Sequence, residues 1–69
     1  MKLYAISLPN ANFREVHSVA KNVDPYALVS VNEGTDVYEF QSKLAADEVA
    51  RVFNAEIKVI EYNIKDLMK

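Results

Sequence analysis

The chain contains no cysteine and only one glycine among its 69 residues. The absence of cysteine excludes a disulfide framework and every thiolate metal site, and it fits a reducing compartment, so we expect a cytoplasmic protein. A single glycine cannot supply a glycine-rich loop of the kind that cradles phosphates. With only two prolines beside it, the composition also argues against disorder.

The chain also has no large excess of either charge and no long hydrophobic run. Eight basic residues are interspersed with ten acidic ones, which gives a net charge of −2. Nucleic-acid-binding proteins draw most of their affinity from basic patches that neutralise phosphates, so this pattern disfavours a nucleic-acid partner. No run approaches the roughly 18 consecutive apolar residues of a membrane-spanning helix, so we expect no membrane association.

Residues suited to catalysis or to metal binding are equally sparse. His17 is the only histidine, and on a helix its side chain would diverge from that of Ser18 by about 100°. Asp47 and Glu48 diverge in the same way, so neither pair forms a catalytic unit. No cation-loop spacing is matched by the acidic residues Glu33, Asp36 and Glu39. We therefore expect neither enzymatic activity nor a metal or cofactor.

What the chain does contain is a high apolar fraction, 51%, arranged with two periodicities. Alternation of apolar and polar residues predicts four strands, which cover residues 2–8, 26–32, 36–41 and 56–64. Spacings of three and four predict one helix between the first two strands and another between the last two. The helical stripes that would face a core are Phe13, Val16, Ala20 and Val23 in the first helix and Ala45, Val49, Val52 and Phe53 in the second.

The residues at the element boundaries support these helices. Asn12 and Ser42 are good N-cap residues, and Glu15 follows Asn12 at the spacing of a capping box. Asn54 is suited to a left-handed helix end. Gly34 is suited to a hairpin turn that needs a positive φ angle.

The resulting order β-α-β-β-α-β is that of the ferredoxin-like, or split βαβ, fold. Right-handed crossovers would place both helices on one face of a four-stranded antiparallel sheet with strand order 4-1-3-2. We therefore expect one α+β sandwich domain over residues 1–64, followed by a short tail at 65–69. The predicted core beneath the helices consists of Tyr4, Ile6, Leu8, Val29, Val31, Tyr38, Phe40, Ile57 and Val59.

The face of the sheet opposite the helices should be polar in such a fold, yet many of its predicted positions are apolar. Small monomers seldom leave this much apolar area exposed. Covering about 400 Å² at roughly 25 cal/mol per Å² would contribute on the order of 10 kcal/mol before association costs. The candidate partner-binding residues on this face are Leu3, Tyr26, Leu28, Val37, Ile60 and Tyr62.

Two groups of proteins with this element order differ from the chain in the first loop. Metal-carrying members have a Cys-x-x-Cys motif after the first strand, where this chain has Pro9-Asn10-Ala11-Asn12. ACT-type regulatory domains resemble the chain in length and element order, although their usual first-loop glycine is missing here. The resemblance stops at the architecture, so no functional residues carry over from either group. A sensor of the ACT type, with a small ligand held near residues 9–12 at a dimer seam, is a second hypothesis.

The sequence favours a non-enzymatic protein-interaction module. It would act as a homodimer, or as a small inhibitor or adaptor that binds a larger protein through the open sheet face or an edge strand; a phage- or plasmid-type inhibitor fits by association. An ACT-like sensor of small molecules is the alternative. A sheet that binds single-stranded RNA by stacking bases on Tyr26 and Tyr62 is disfavoured, because the basic-aromatic signature of such sheets is absent.

Overall fold

The computed structural model describes residues 2–32 and 34–61. The tail predicted at 65–69, the candidate residue Tyr62 and the end of the last predicted strand lie outside these residues. The described elements are β1 (Lys2–Ser7), α1 (Phe13–Val23), β2 (Val29–Val31), β3 (Val37–Phe40), α2 (Lys43–Phe53) and β4 (Ile57–Glu61).

The four strands form one antiparallel sheet in the order β2-β3-β1-β4. This is the predicted order counted from the opposite edge, so the α+β ferredoxin-like sandwich is confirmed. In the register, Tyr4 of β1 lies between Phe40 of β3 and Val59 of β4, and Ile6 lies between Tyr38 and Ile57. Directly opposed residues share a face of the sheet, so these side chains all face the helices.

The core lies between this face and the two helices. Ile6 and Phe40 from the sheet and Val16 and Val49 from the helices are its largest fully buried side chains. Three small residues, Ala20, Ala45 and Ala46, are also completely buried and pack in the same cluster. Ala46 was absent from the predicted stripe.

Hydrogen bonds at the element boundaries follow the predicted chemistry. The Asn12 side chain accepts a hydrogen bond from the Glu15 N–H at 2.9 Å and donates one to the Glu15 carboxylate at 2.7 Å. Ser42 Oγ accepts the Ala45 N–H at 3.2 Å. Asn54 ends α2 in the left-handed conformation with φ 52°, and Gly34 adopts φ 78° in the β2–β3 turn.

Four residues predicted for the core are exposed instead, and one of them is Phe13, the first residue of α1. Val31 and Val59 face the helix layer, but they lie on the two edge strands of the sheet. Side chains there have a neighbouring strand on one side only. Val52 is exposed in the last turn of α2.

The second strand is shorter than predicted, because residues 26–28 precede it in a turn. Asp24 Oδ1 accepts the Tyr26 N–H at 3.1 Å, and the Asp24 carbonyl accepts the Ala27 N–H at 3.0 Å. The Tyr26 N–H is therefore used within the turn and cannot extend the ladder to β3. Among the described residues, neither helix has the length and hydropathy needed to cross a membrane.

Candidate protein-binding surface

The side of the sheet away from the helices, called the open face below, is assembled from alternate residues of all four strands. The register places Leu3 beside Ile60, Ser7 beside Val37 and Ser30 beside Glu39. Ala5 lies at the centre, with Glu39 of β3 on one side and Lys58 of β4 on the other. The structure thus brings the candidates Leu3, Val37 and Ile60 together on one face.

Exposure on the open face is uneven. Leu3, Val37 and Ile60 are half-buried, because each is flanked by side chains of the adjacent strand. Ala5 is only 6% exposed, consistent with its position between two long charged side chains. The open face is therefore a mixed surface with apolar residues towards its ends and a charged row across its middle.

Among the described residues, the two most exposed large apolar side chains lie at the margin of this face, in the segment 24–28 that we call the Tyr26 turn. The Tyr26 side chain is 90% exposed and that of Leu28 is 63% exposed. Ala27 between them is buried in the core cluster and anchors the turn. Since side chains alternate along an extended chain, Leu28 lies on the same side as Ser30, which is the open-face side.

Hydrogen bonds brace the Tyr26 turn. Asp24 accepts the two hydrogen bonds described above, and its own N–H donates to the Ala20 carbonyl at 3.1 Å. Lys21 Nζ donates to the Pro25 carbonyl at 2.7 Å. These bonds connect the backbone beneath the exposed Tyr26 ring to α1 and to Asp24, and such bracing reduces the ordering cost of binding.

The hydrogen bonds between β2 and β3 show which backbone groups of β2 point outward, where a partner could bond to them. The Asn32 N–H donates to the Val37 carbonyl at 3.1 Å. Polar backbone groups of alternate residues in an antiparallel pair point to the same neighbour, so those of Ser30 face β3. The N–H and C=O groups of Val29 and Val31 therefore point away from the sheet.

The same reasoning applies at the β4 edge. The Leu8 N–H donates to the Asp36 carbonyl at 2.9 Å, so the even-numbered residues of β1 bond to β3 and the odd-numbered ones to β4. The backbone groups of Lys58 and Ile60 consequently face β1. Those of Ile57, Val59 and Glu61 point outward. The alternation of side chains can be predicted from the sequence. Which backbone N–H and C=O groups point outward could be determined only from the observed register.

A groove of about 710 Å³ lies where β1 and β4 diverge beyond the Ile6–Ile57 pair. It is bounded by the Leu8–Ala11 turn and by the connection from α2 to β4. It also reaches the open face at Ala5 and Lys58. Its polar lining side chains are Ser7, Asn10, Asn54, Glu56 and Lys58. The groove is thus lined by residues 9–11, which belong to the segment where the hypothesis of a small-molecule sensor places its ligand.

His17 and Glu48 contact neighbouring side chains of their own helices. His17 stacks on Phe13 at a ring distance of 5.6 Å, and Phe13 in turn stacks on Tyr38 at 6.5 Å. Hydrogen bonding to Arg51 lowers the pKa of Glu48 on the exposed side of α2. Within residues 2–32 and 34–61, no group of three histidine or carboxylate side chains is placed to hold a metal ion.

The sequence-based prediction placed Tyr26 in a strand, whereas the structure places it in a turn braced by hydrogen bonds. The available signal was Asp24, whose carboxylate can accept a hydrogen bond from the N–H two residues on, as aspartate does in Asx turns.

The ferredoxin-like architecture hosts many unrelated functions, so it assigns none by itself. Protein-family models, curated proteins and solved structures give no match with this chain.

Proposed function

We propose that the chain is a non-enzymatic protein-interaction module that binds another polypeptide through its open face and the adjoining Tyr26 turn. The observation that carries the proposal is the 90% exposure of Tyr26 on a hydrogen-bonded turn. Tyrosine is enriched among residues that dominate binding energies, because its ring provides contact area and its hydroxyl a polar contact. A fixed backbone presents that ring at low entropic cost.

The surroundings of Tyr26 support the same proposal. Leu28 adds a second exposed apolar side chain beside it, and Leu3, Val37 and Ile60 extend the apolar surface across the sheet. The outward N–H and C=O groups of β2 can also pair with an extended segment of a partner, as in complexes formed by strand addition. Backbone pairing would then supply affinity, and side-chain packing would supply specificity.

Capture experiments with matched variants test this proposal. Leu28→Glu and Tyr26→Ala alter the surface, whereas Leu44→Glu makes the same change as the first variant at a residue of α2 that is 60% exposed. We expect wild type and Leu44→Glu to retain a common partner from extracts of the native host. Against that purified partner, each surface variant should lose about 2 kcal/mol of binding free energy, or about 30-fold in affinity. Equal affinities for all four proteins would refute the proposal.

A second candidate function rests on the groove beside Leu8–Ala11. Its volume of about 710 Å³ lies within the usual range for small-molecule sites, and apolar walls combined with a few polar groups are typical of them. The candidate is a sensor that holds a small ligand there. A thermal-shift screen with amino acids and nucleotides tests it, since a bound ligand raises the melting temperature. No shift across the panel would exclude those two ligand classes.

A further inference from the structure

We infer that the polypeptide bound by the open face is a second copy of this chain, packed face to face. This inference rests on the proposed function and names its partner. It starts from the row in which Glu39 and Lys58 flank Ala5 on the two adjacent strands. Neither charged side chain forms an ion pair or a side-chain hydrogen bond with another described residue. Among the described strand residues, the open face therefore carries one charge of each sign, and the two lie on opposite sides of β1.

A two-fold axis that runs parallel to β1 and passes between two facing sheets makes this row complementary to itself. The axis places Ala5 over Ala5 and exchanges the two sides of β1. Glu39 of each copy then lies over Lys58 of the other, which gives two ion pairs. An axis perpendicular to the strands would instead place Glu39 over Glu39 and Lys58 over Lys58, so the charges select the first arrangement. It also keeps the strand directions of the two sheets aligned, as is common in packed sheets.

The sizes of the side chains suit this arrangement. Facing sheets lie about 10 Å apart, a gap that a glutamate and a lysine reaching from opposite sides can bridge together. Ala5 and Ser7 on the central strand are small and permit the two β1 strands to approach. Leu3 of one copy would pack on Leu3 of the other at one end of the strand.

In this dimer the Tyr26 turn would contact β4 of the second copy. Because β1 is third in the order β2-β3-β1-β4, the sheet extends further on the β2 side than on the β4 side. The axis places β4 of the second copy over β3, so β2 and the Tyr26 turn project past the edge of that strand. Leu28 would then lie beside Ile60 of the second copy, and Tyr26 next to its uncovered edge.

The area of the interface sets the expected strength. Four strands of about five residues give a flat face of about 300 Å² per copy, to which the Tyr26 turn adds. The two flat faces would bury about 600 Å² in total, less than the roughly 1,000 Å² of a stable interface, so we expect a weak dimer with a dissociation constant in the high micromolar range.

Charge reversal provides the test, with molar mass measured by light scattering over a concentration series and folding checked by circular dichroism. We expect wild type to dimerise and Glu39→Lys and Lys58→Glu each to raise the dissociation constant about 100-fold or more, because each places like charges face to face. The double variant Glu39→Lys/Lys58→Glu restores opposite charges and should dimerise again. Arg14→Glu, which alters the exposed side of α1, should leave the dimer unchanged.

Any of three results would overturn the inference: a wild type that stays monomeric at millimolar concentration, single reversals that leave the dimer intact, or a double variant that does not recover. If a reversal prevents folding, a zero-length carbodiimide cross-link in the wild type replaces it. Mixing isotopically heavy and light chains should yield a Glu39–Lys58 linkage between heavy and light peptides, and its absence would count against the arrangement. A monomer that still binds a different protein through Tyr26 and Leu28 would overturn the second-copy inference and leave the proposed function intact.

Discussion

Two asparagines fix helix ends in this protein by different chemistry. Asn12 supplies a side-chain acceptor and donor at the start of α1, and Asn54 supplies a left-handed backbone at the end of α2. Both could be predicted because a helix cap depends on residues within a few positions along the chain. The same holds for Ser42 and for Gly34, whose positive φ angle closes the β2–β3 turn.

The Asn12 cap should be measurable as a loss of stability. Replacing Asn12 with alanine removes both hydrogen bonds to Glu15 and should lower the free energy of unfolding by about 1 kcal/mol. Asn22→Ala is the matched control, since Asn22 is exposed near the other end of α1 and alanine has the higher helix propensity. Urea denaturation of both variants measures the difference. Equal stabilities of the two variants would show that the cap contributes nothing.

At the scale of whole elements, the sequence predicts each helix and strand but not which of their residues are covered. Val29 and Val31 alternate correctly with Ser30, yet Val31 is exposed because β2 lies at an edge of the sheet. Edge position depends on the pairing of strands far apart in sequence. The shortening of β2 has a local cause, because Asp24 bonds the Tyr26 N–H and holds the chain in a turn.

Two valines of α2 test the packing of that helix against the sheet. Val49 is completely buried, whereas Val52 is 48% exposed on the same helix. Val49→Ala should lower the free energy of unfolding by about 2 kcal/mol, through lost burial and the cavity left behind. Val52→Ala deletes the same atoms and should cost less than about 0.5 kcal/mol, as expected for a surface substitution. Similar losses in the two variants would contradict the observed orientation of α2.

At the scale of the molecule, a chain of this size has little core with which to stabilise itself, and net stabilities of about 3–5 kcal/mol are typical. The fold class and strand order followed from the element order, because the handedness of crossovers leaves few alternatives. The candidate binding surface could be predicted from the sequence only in part. Alternation predicted that Leu3, Val37 and Ile60 share a face. The alignment of Glu39 and Lys58 about Ala5 depends on a register that alternation does not determine.

The most direct test of the open face as an interface is a series of amide NMR spectra recorded from micromolar to millimolar concentration. We predict that the amide signals of Ala5, Glu39 and Lys58, together with that of Leu28, shift progressively with concentration. Signals from the exposed sides of α1 and α2, such as those of Asn22 and Leu44, should remain fixed. Spectra that superimpose at all concentrations, or shifts confined to the helices, would contradict the self-association through the open face that we infer.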